Sequence, residues 1–206
     1  MALHQPACST MTDRVSVIIP TLNAGRMGIE LVEALRRQTL VPHEILVIDS
    51  GSTDGTAAAL SRAGATVRTI ASADFHHGTV RNDAALRASG NILVFMTQDA
   101  APQDGHLLER LADALRRGAA AAYARHVPRR SASPLEKYAR LTNYPAEGST
   151  ERNSTANAGP RSIRSVFFSN TCSAVLRDVF ERLGGFPTHT IMNEDMLFAA
   201  RLRRAG

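Results

Sequence analysis

From Arg14 to about Arg125 the apolar residues fall into short unbroken runs, separated by stretches in which they recur every three or four positions. Such runs fit strands buried on both faces, and the spaced stretches fit helices covering them, which is the layout of an α/β fold around a mostly parallel sheet. Val15-Ser16-Val17-Ile18-Ile19-Pro20 reads as the first strand, stopped by its proline, and residues 27–38 as a helix with Leu31, Val32 and Leu35 on one stripe. A second strand at 44–49 runs into the polar turn Ser50-Gly51-Ser52-Thr53-Asp54-Gly55. There follow a short helix at 56–62, a third strand at 66–70, a helix at 79–89 closed by Gly90, and a fourth strand at 91–96. Leu107, Leu111 and Leu115 mark one face of another helix, with Asp104 as its expected cap and Gly118 as its stop, and residues 119–125 read as a fifth strand.

Beyond Val127 the pattern dissolves into Pro, Ser, Asn and Gly with one helical stretch at 135–141, and a loop of that length in a compact domain usually carries function. Order returns at 164–176, continues through 178–183 to the Gly184-Gly185 stop, and ends in a helix at 193–204 whose apolar side is expected to carry Met196, Leu197, Ala200 and Leu202. The 206 residues, 44% hydrophobic and 21% charged, are enough for one full core. The expected organisation is a flexible leader at 1–13 and a single domain at 14–206 that includes a long basic loop at 125–164. No run approaches the roughly 18 apolar residues of a membrane span and the N-terminus lacks the pattern of a signal peptide, so a cytoplasmic protein is expected. Asn153-Ser154-Thr155 matches a glycosylation sequon only by chance on that reading. Cys8 and Cys172 offer neither a disulfide framework nor a metal-ligand spacing.

Charge adds one feature. The net charge is +5, and residues 125–164 hold eight basic side chains against three acidic ones, so the rest of the chain is neutral. All but Lys137 are arginines, whose planar fork suits phosphate. A nucleic-acid partner is not expected, because no recognised nucleic-acid-binding motif accompanies the patch. An anionic membrane surface or a phosphate-bearing substrate remains, beside the plain reading of a solvated arginine-rich loop.

In a parallel α/β sheet, ligands lie beyond the carboxyl ends of the strands. Three such ends are polar here: Pro20-Thr21-Leu22-Asn23, the Asp49 turn, and Thr97-Gln98-Asp99-Ala100. Carboxylates at two of them can divide two tasks, one bonding a base or ribose and the other holding a divalent cation against phosphates. Asp54 reads better as a turn residue. The Gly-rich dinucleotide fingerprint, the P-loop and the Gly-x-Ser-x-Gly elbow are all missing, which removes three large enzyme classes. His76 and His77 are adjacent and lack a third ligand, so they do not make a metal site.

Val15–Asn23, the Asp49 turn, Gly78-Thr79-Val80-Arg81-Asn82, Gln98-Asp99 and Asn193-Glu194-Asp195 stand in the order and approximate spacing of inverting family 2 glycosyltransferases of the GT-A fold, which the chain resembles from about Arg14 onward. Phe75-His76-His77-Gly78 and Phe95-Met96-Thr97-Gln98-Asp99-Ala100 most resemble the bacterial rhamnosyltransferase branch using dTDP-L-rhamnose. The resemblance implies nucleotide-sugar binding by Pro20, Thr21, Asn23, Asp49, Arg81, Gln98 and Asp99, with Asp49 on the pyrimidine and Arg81 at the diphosphate or sugar. It implies a Mg²⁺ or Mn²⁺ cofactor at Asp99, although Thr97 stands where the family's Asp-x-Asp motif has its first acid, and Ser50 where many members have a second aspartate. It makes Asp195 the catalytic base, with Glu194 beside it, and the partners a nucleotide-sugar donor and a glycan or lipid-linked acceptor, met at the inner face of the cell membrane. Inverting transfer needs one carboxylate to deprotonate the acceptor and positive charge on the leaving diphosphate, which these residues could supply. The helix dipole at Asp195 is expected to favour its ionised form. Two other readings are carried along. One is a catalytically silent nucleotide-sugar-binding module or C-terminally truncated fragment, since relatives continue past the Asp195 helix. The other is a nucleotidyltransferase, which would show a Gly- and Lys-rich loop after the first strand.

Overall fold

The computed structural model describes residues 12–129, 131–144 and 166–205. The first eleven residues of the expected leader, much of the basic loop and the sequon lie outside them. The leader's last two residues are tied down: Asp13 pairs with Arg116 at 3.2 Å, and the Thr12 carbonyl accepts from Asn91 Nδ2.

Six strands form one sheet in the order β3-β2-β1-β4-β6-β5. The strands are β1 Val15–Thr21, β2 Glu44–Asp49, β3 Thr66–Thr69, β4 Ile92–Met96, β5 Ala121–Tyr123 and β6 Cys172–Leu176. The first four are parallel; β6 runs antiparallel to β4, and β5 antiparallel to β6. Around them lie α1 Gly25–Arg36, α2 Thr56–Arg62, α3 His77–Arg87, α4 Leu107–Arg116, α5 Pro134–Asn143, α6 Arg177–Arg182 and α7 Glu194–Arg204. Every residue of β1 is buried, because helices cover both faces. Val15, Val17 and Ile19 pack with Leu31, Leu35, Leu111 and Leu115, and Ile18 packs on the other face with Val80, Phe95, Phe180 and Phe198.

Several expected boundaries move, each for a local reason. β1 runs through Pro20 to Thr21, since its pairing with β4 ends at Ile18 and only β2 continues beside the proline. β5 is three residues long, shorter than 119–125. Asp104 is not the cap of α4; that position is His106, and Asp104 Oδ1 accepts from the His106 N–H one turn earlier. The α4 N-terminus is also served by the end of α1, where the buried Gln38 accepts from Leu108 N at 3.3 Å. In α7 the buried apolar residue is Phe198, and Leu197 is exposed, so the helix is rotated from the expected face.

Phe198 explains that rotation. Its ring lies 5.4 Å from Phe180 and 5.1 Å from Phe186, which in turn meet Phe95 of β4 at 5.2 and 4.8 Å. A large ring buried in such a cluster outweighs three half-exposed aliphatic side chains. Phe198→Ala is therefore expected to cost about 3–5 kcal/mol in urea unfolding and Leu197→Ala no more than about 0.5 kcal/mol. Equal losses would show that α7 is not held through this ring.

Candidate active site

The strand order reverses at β1, which has β2 on one side and β4 on the other, so the loops after β1 and β4 border the crevice where α/β sheets bind ligands. The antiparallel edge adds to the same rim. Met96, at the end of β4, is opposite Cys172, at the start of β6, and Tyr123, at the end of β5, is opposite Ser173. The chain leaving β5 and the chain entering β6 thus arrive where the parallel strands end.

On the β1–β2 side the polar turns are closely knit. Asp49 is buried, and its carboxylate accepts from Gly51 N at 3.3 Å, Ser52 N at 3.0 Å and the Ser52 hydroxyl. Asn23 takes a left-handed backbone, receives Thr53 N at 2.9 Å on its side chain and gives its own N–H to Ser52 Oγ at 2.8 Å. The Thr21 carbonyl accepts from both Ser50 N and Ser50 Oγ. Ser50 therefore fastens β2 to β1. Asp54 serves as the turn residue expected, accepting from Thr56 N at 2.9 Å.

After β4, Gln98 clasps the loop opposite. Its Oε1 accepts from Leu22 N at 2.7 Å and its Nε2 donates to Leu22 O at 3.0 Å, so both ends of the amide are committed. The Thr97 hydroxyl is buried without a hydrogen-bond partner. Asp99 alone of the three presents an exposed carboxyl side chain, and its backbone carbonyl accepts from Arg129 Nη2 at 2.7 Å. Among the described residues no three His, Cys, Asp or Glu side chains gather as a metal cluster.

Arg81, expected at a diphosphate or sugar, is buried. Its Nη1 donates to Glu194 Oε1 at 3.0 Å and to the His77 carbonyl at 3.1 Å. Burial lowers its pKa and the Glu194 charge opposes that shift. Glu194 is buried as well and accepts a second bond, from Asn170 Nδ2 at 3.3 Å. The residues that resemble a family motif on α3 share one task. Arg81 and Asn82 lie three and four positions after Gly78 on one helix face; Gly78 and Asn82 meet the segment before α7 and Arg81 meets the first residue of α7 itself. A side chain at Gly78 would collide with the Pro187 carbonyl at 2.2 Å. Asn82 exchanges two 2.8 Å hydrogen bonds with the backbone of Phe186.

Asp195, the second residue of α7, is half-buried. Its Oδ2 accepts from Asn170 N at 3.0 Å and its Oδ1 from Met196 N at 2.8 Å. Burial pushes its carboxyl above the ordinary aspartate value; the bond from Asn170 N opposes this, and the neighbouring Glu194 charge adds to it. The expected dipole-favoured ionisation is thus outweighed by desolvation. Sequence reading missed a further pair: His126 stacks on Tyr144 with ring centroids 4.3 Å apart. Arg140 Nη1 donates to His126 Nδ1 at 2.8 Å, and burial holds His126 neutral, its pKa lowered to about 4. Asp99 acts electrostatically on His126 and Asp195 on Tyr144, so both carboxylates lie within electrostatic reach of one aromatic pair. The only sequence signal for it was the basic segment in which Arg129 and Arg140 lie.

The Asp195 shift fixes a sign. With its folded pKa raised from 3.8, the native protein keeps a proton that the unfolded chain has already released, so stability falls as pH rises through that window. Asp195→Asn is expected to unfold at higher urea than wild type at neutral pH and to lose this advantage near pH 3. A wild type that gains on the variant as pH rises would contradict the burial of the charge.

The description "Glycosyl transferase family 2" belongs to the family model that matches residues 16–184. An O-antigen chain rhamnosyltransferase, RfbN of Salmonella typhimurium, is 38% identical over 199 residues, covering 94% of this chain and 62% of that protein. The O-antigen chain rhamnosyltransferase WbaN of Salmonella anatum is 39% identical over 195 residues, covering 93% and 61%. This chain therefore spans about three-fifths of the length of these relatives. Among solved structures, the mannosyltransferase PcManGT of Pyrobaculum calidifontis, in complex with GDP-Man and Mn²⁺, superposes with a TM-score of 0.65 at 25% identity over 94% of this chain and 52% of that one. The S. aureus TarS structure with UDP-GlcNAc shares the fold, with a TM-score of 0.67 at 19% identity over 93% of this chain and 54% of its own.

Proposed function

The chain belongs to glycosyl transferase family 2, and from that premise we propose that it is the catalytic domain of an inverting glycosyltransferase that moves L-rhamnose from dTDP-L-rhamnose to a polysaccharide or lipid-linked acceptor. One observation carries the reading: two carboxylates of different surroundings, Asp99 exposed and Asp195 half-buried, both act electrostatically on the stacked His126–Tyr144 pair at the ligand-binding rim of the sheet. The rhamnosyl part rests on the two Salmonella relatives. Residues 14–206 are read as one domain.

In this reading Pro20, Thr21, Asn23 and Asp49 receive the nucleoside, the turn held by Asp49 being pre-shaped for it. Asp195 takes the proton of the acceptor hydroxyl as that oxygen attacks the anomeric carbon. The bond to the nucleoside diphosphate breaks on the opposite face, inverting the sugar. A carboxylate whose pKa is raised is the stronger base, which suits the step. Glu194 stays with Arg81 and does not touch substrate, and the positive charge near the leaving group comes from Arg129 beside Asp99. Asp99, whose carboxylate is exposed, is the residue that would hold a divalent cation, and a single protein carboxylate is a usual holding for Mg²⁺ beside substrate phosphates. When bound, that ion supplies charge stabilisation to the departing diphosphate.

The experiment is transfer measured as dTDP release from dTDP-L-rhamnose with a lipid-linked saccharide acceptor. Asp195→Asn is expected to lower the rate by roughly 10²–10⁴-fold with donor affinity unchanged, and Asp99→Ala to abolish the gain in donor affinity that Mg²⁺ or Mn²⁺ confers. Transfer persisting in Asp195→Asn would refute the base, and metal enhancement persisting in Asp99→Ala would refute the cation site.

Membrane contact is the second part of the proposal. Among the described residues no helix is long and apolar enough to cross a membrane. None of the residues of α5 is buried, and Leu135, Tyr138 and Leu141 form an exposed apolar stripe beside Lys137 and the arginines of the basic segment. A helix of this kind lies along an anionic bilayer surface. Binding to vesicles containing anionic lipid is expected to weaken with salt and with Leu135→Ser; binding that ignores both would refute it.

A further inference from the structure

The base proposed above is held by a chain of contacts reaching back to α3. Asp195 Oδ2 receives the backbone N–H of Asn170, the residue two before β6. The Asn170 side chain is itself fixed at both ends and buried. Its Nδ2 donates to Glu194 Oε1 at 3.3 Å, and its Oδ1 accepts from Ser173 Oγ at 2.9 Å. Glu194 Oε1 also receives Arg81 Nη1, both partners of that ion pair being nearly free of solvent. Arg81 Nε is buried without a partner, so Glu194 is the counter-charge of this guanidinium.

This arrangement is more than packing requires. An apolar α7 N-terminus would dock on α3 at lower desolvation cost than two buried charges. What the charged version adds is direction: the asparagine that aims Asp195 is tied to the same carboxylate oxygen that holds α3. We propose that Asn170 is the positioning residue of Asp195 and that the Arg81–Glu194 pair, acting through Asn170, fixes the aim of the Asp195 carboxylate for transfer. The proposal rests on the reading of Asp195 as the base. Other ionisable groups facing Asp195 are Glu194 on its own helix, Arg81 and His77 from α3, and Tyr144 after α5. Of these, Glu194 raises the Asp195 pKa and Arg81 lowers it.

The test combines kinetics with a direct titration of the whole chain. Asn170→Ala leaves the Arg81–Glu194 pair in place. It is expected to lower the transfer rate by about 10²-fold, the effect of a displacement on the order of 1 Å, with donor KM unchanged. Glu194→Gln keeps the shape and removes the charge. Carbon-13 NMR of the Asp195 carboxyl is expected to show titration above the ordinary range in wild type and at lower pH in Glu194→Gln, with the acid limb of the rate profile moving the same way. If Asp195→Asn is still active, the base reading itself fails. If Asp195→Asn is inactive while folded Asn170→Ala matches wild type in rate and pH profile, the positioning role alone is overturned. Should Glu194→Gln not fold, Asn170→Ala decides the question by itself.

Discussion

The buried ion pair between Arg81 and Glu194 is the constraint on which the proposed catalytic end of the molecule depends. Neither partner tolerates loss of the other, since a lone charge left in that interior costs about 3–5 kcal/mol. The pair joins α3, which follows the third parallel strand, to α7, which begins 107 residues after α3 ends and packs through the Phe198 ring against Phe180 and Phe186. Rings set the depth of α7 but leave its rotation and sliding poorly defined, because aromatic contacts are tolerant of small shifts. A salt bridge at 3.0 Å and the two Asn82 bonds to Phe186 are not tolerant, and they turn a greasy contact into a single position.

The opposite side of the crevice is fixed by a different device. There the loops after β1, β2 and β4 bond one another through side-chain amides, hydroxyls and a carboxylate, with Gln98 closing on Leu22 and Asp49 on its own turn. These groups satisfy one another, so binding would not have to order them, and pre-ordering of that kind spares the entropy that flexible loops lose. Gln98 serves the scaffold, and Asp99 is left as the one exposed carboxylate of this loop.

Most of the sheet was legible because period and run length report burial directly: β1, β2 and β4 are apolar on both faces and were placed within a residue or two. The order of the strand ends likewise brought Thr21, Asn23, Asp49 and Asp99 to one rim. What could not be read was the partner of each polar residue. Arg81 looks like any phosphate-binding arginine in the sequence, and only the fold brings Glu194 to it from 113 positions away. Asn170 carries no motif at all, and its part depends on a backbone N–H, which sequence does not display. The rotation of α7 was missed for a related reason: counting apolar positions weighs Met196, Leu197 and Ala200 together above one phenylalanine, whereas buried area weighs the ring more.

Asp195 brings these threads together as a conflict between folding and chemistry. Its carboxyl is drawn toward the protonated state by burial and by Glu194, and toward the ionised state by Asn170 N, Met196 N and Arg81. A fully solvated aspartate would fold at no such cost but would be a weak base, and a fully buried one would hold its proton and accept none. Half-burial with backbone donors on both oxygens lies between, retaining ionisation while raising basicity. The donors must then be placed by something rigid, because a carboxylate free to swing would turn back to water. The surroundings supply that rigidity from two directions, through Asn170 just before β6 and through Glu194 one residue earlier on the same helix, and both lead to the same guanidinium in α3.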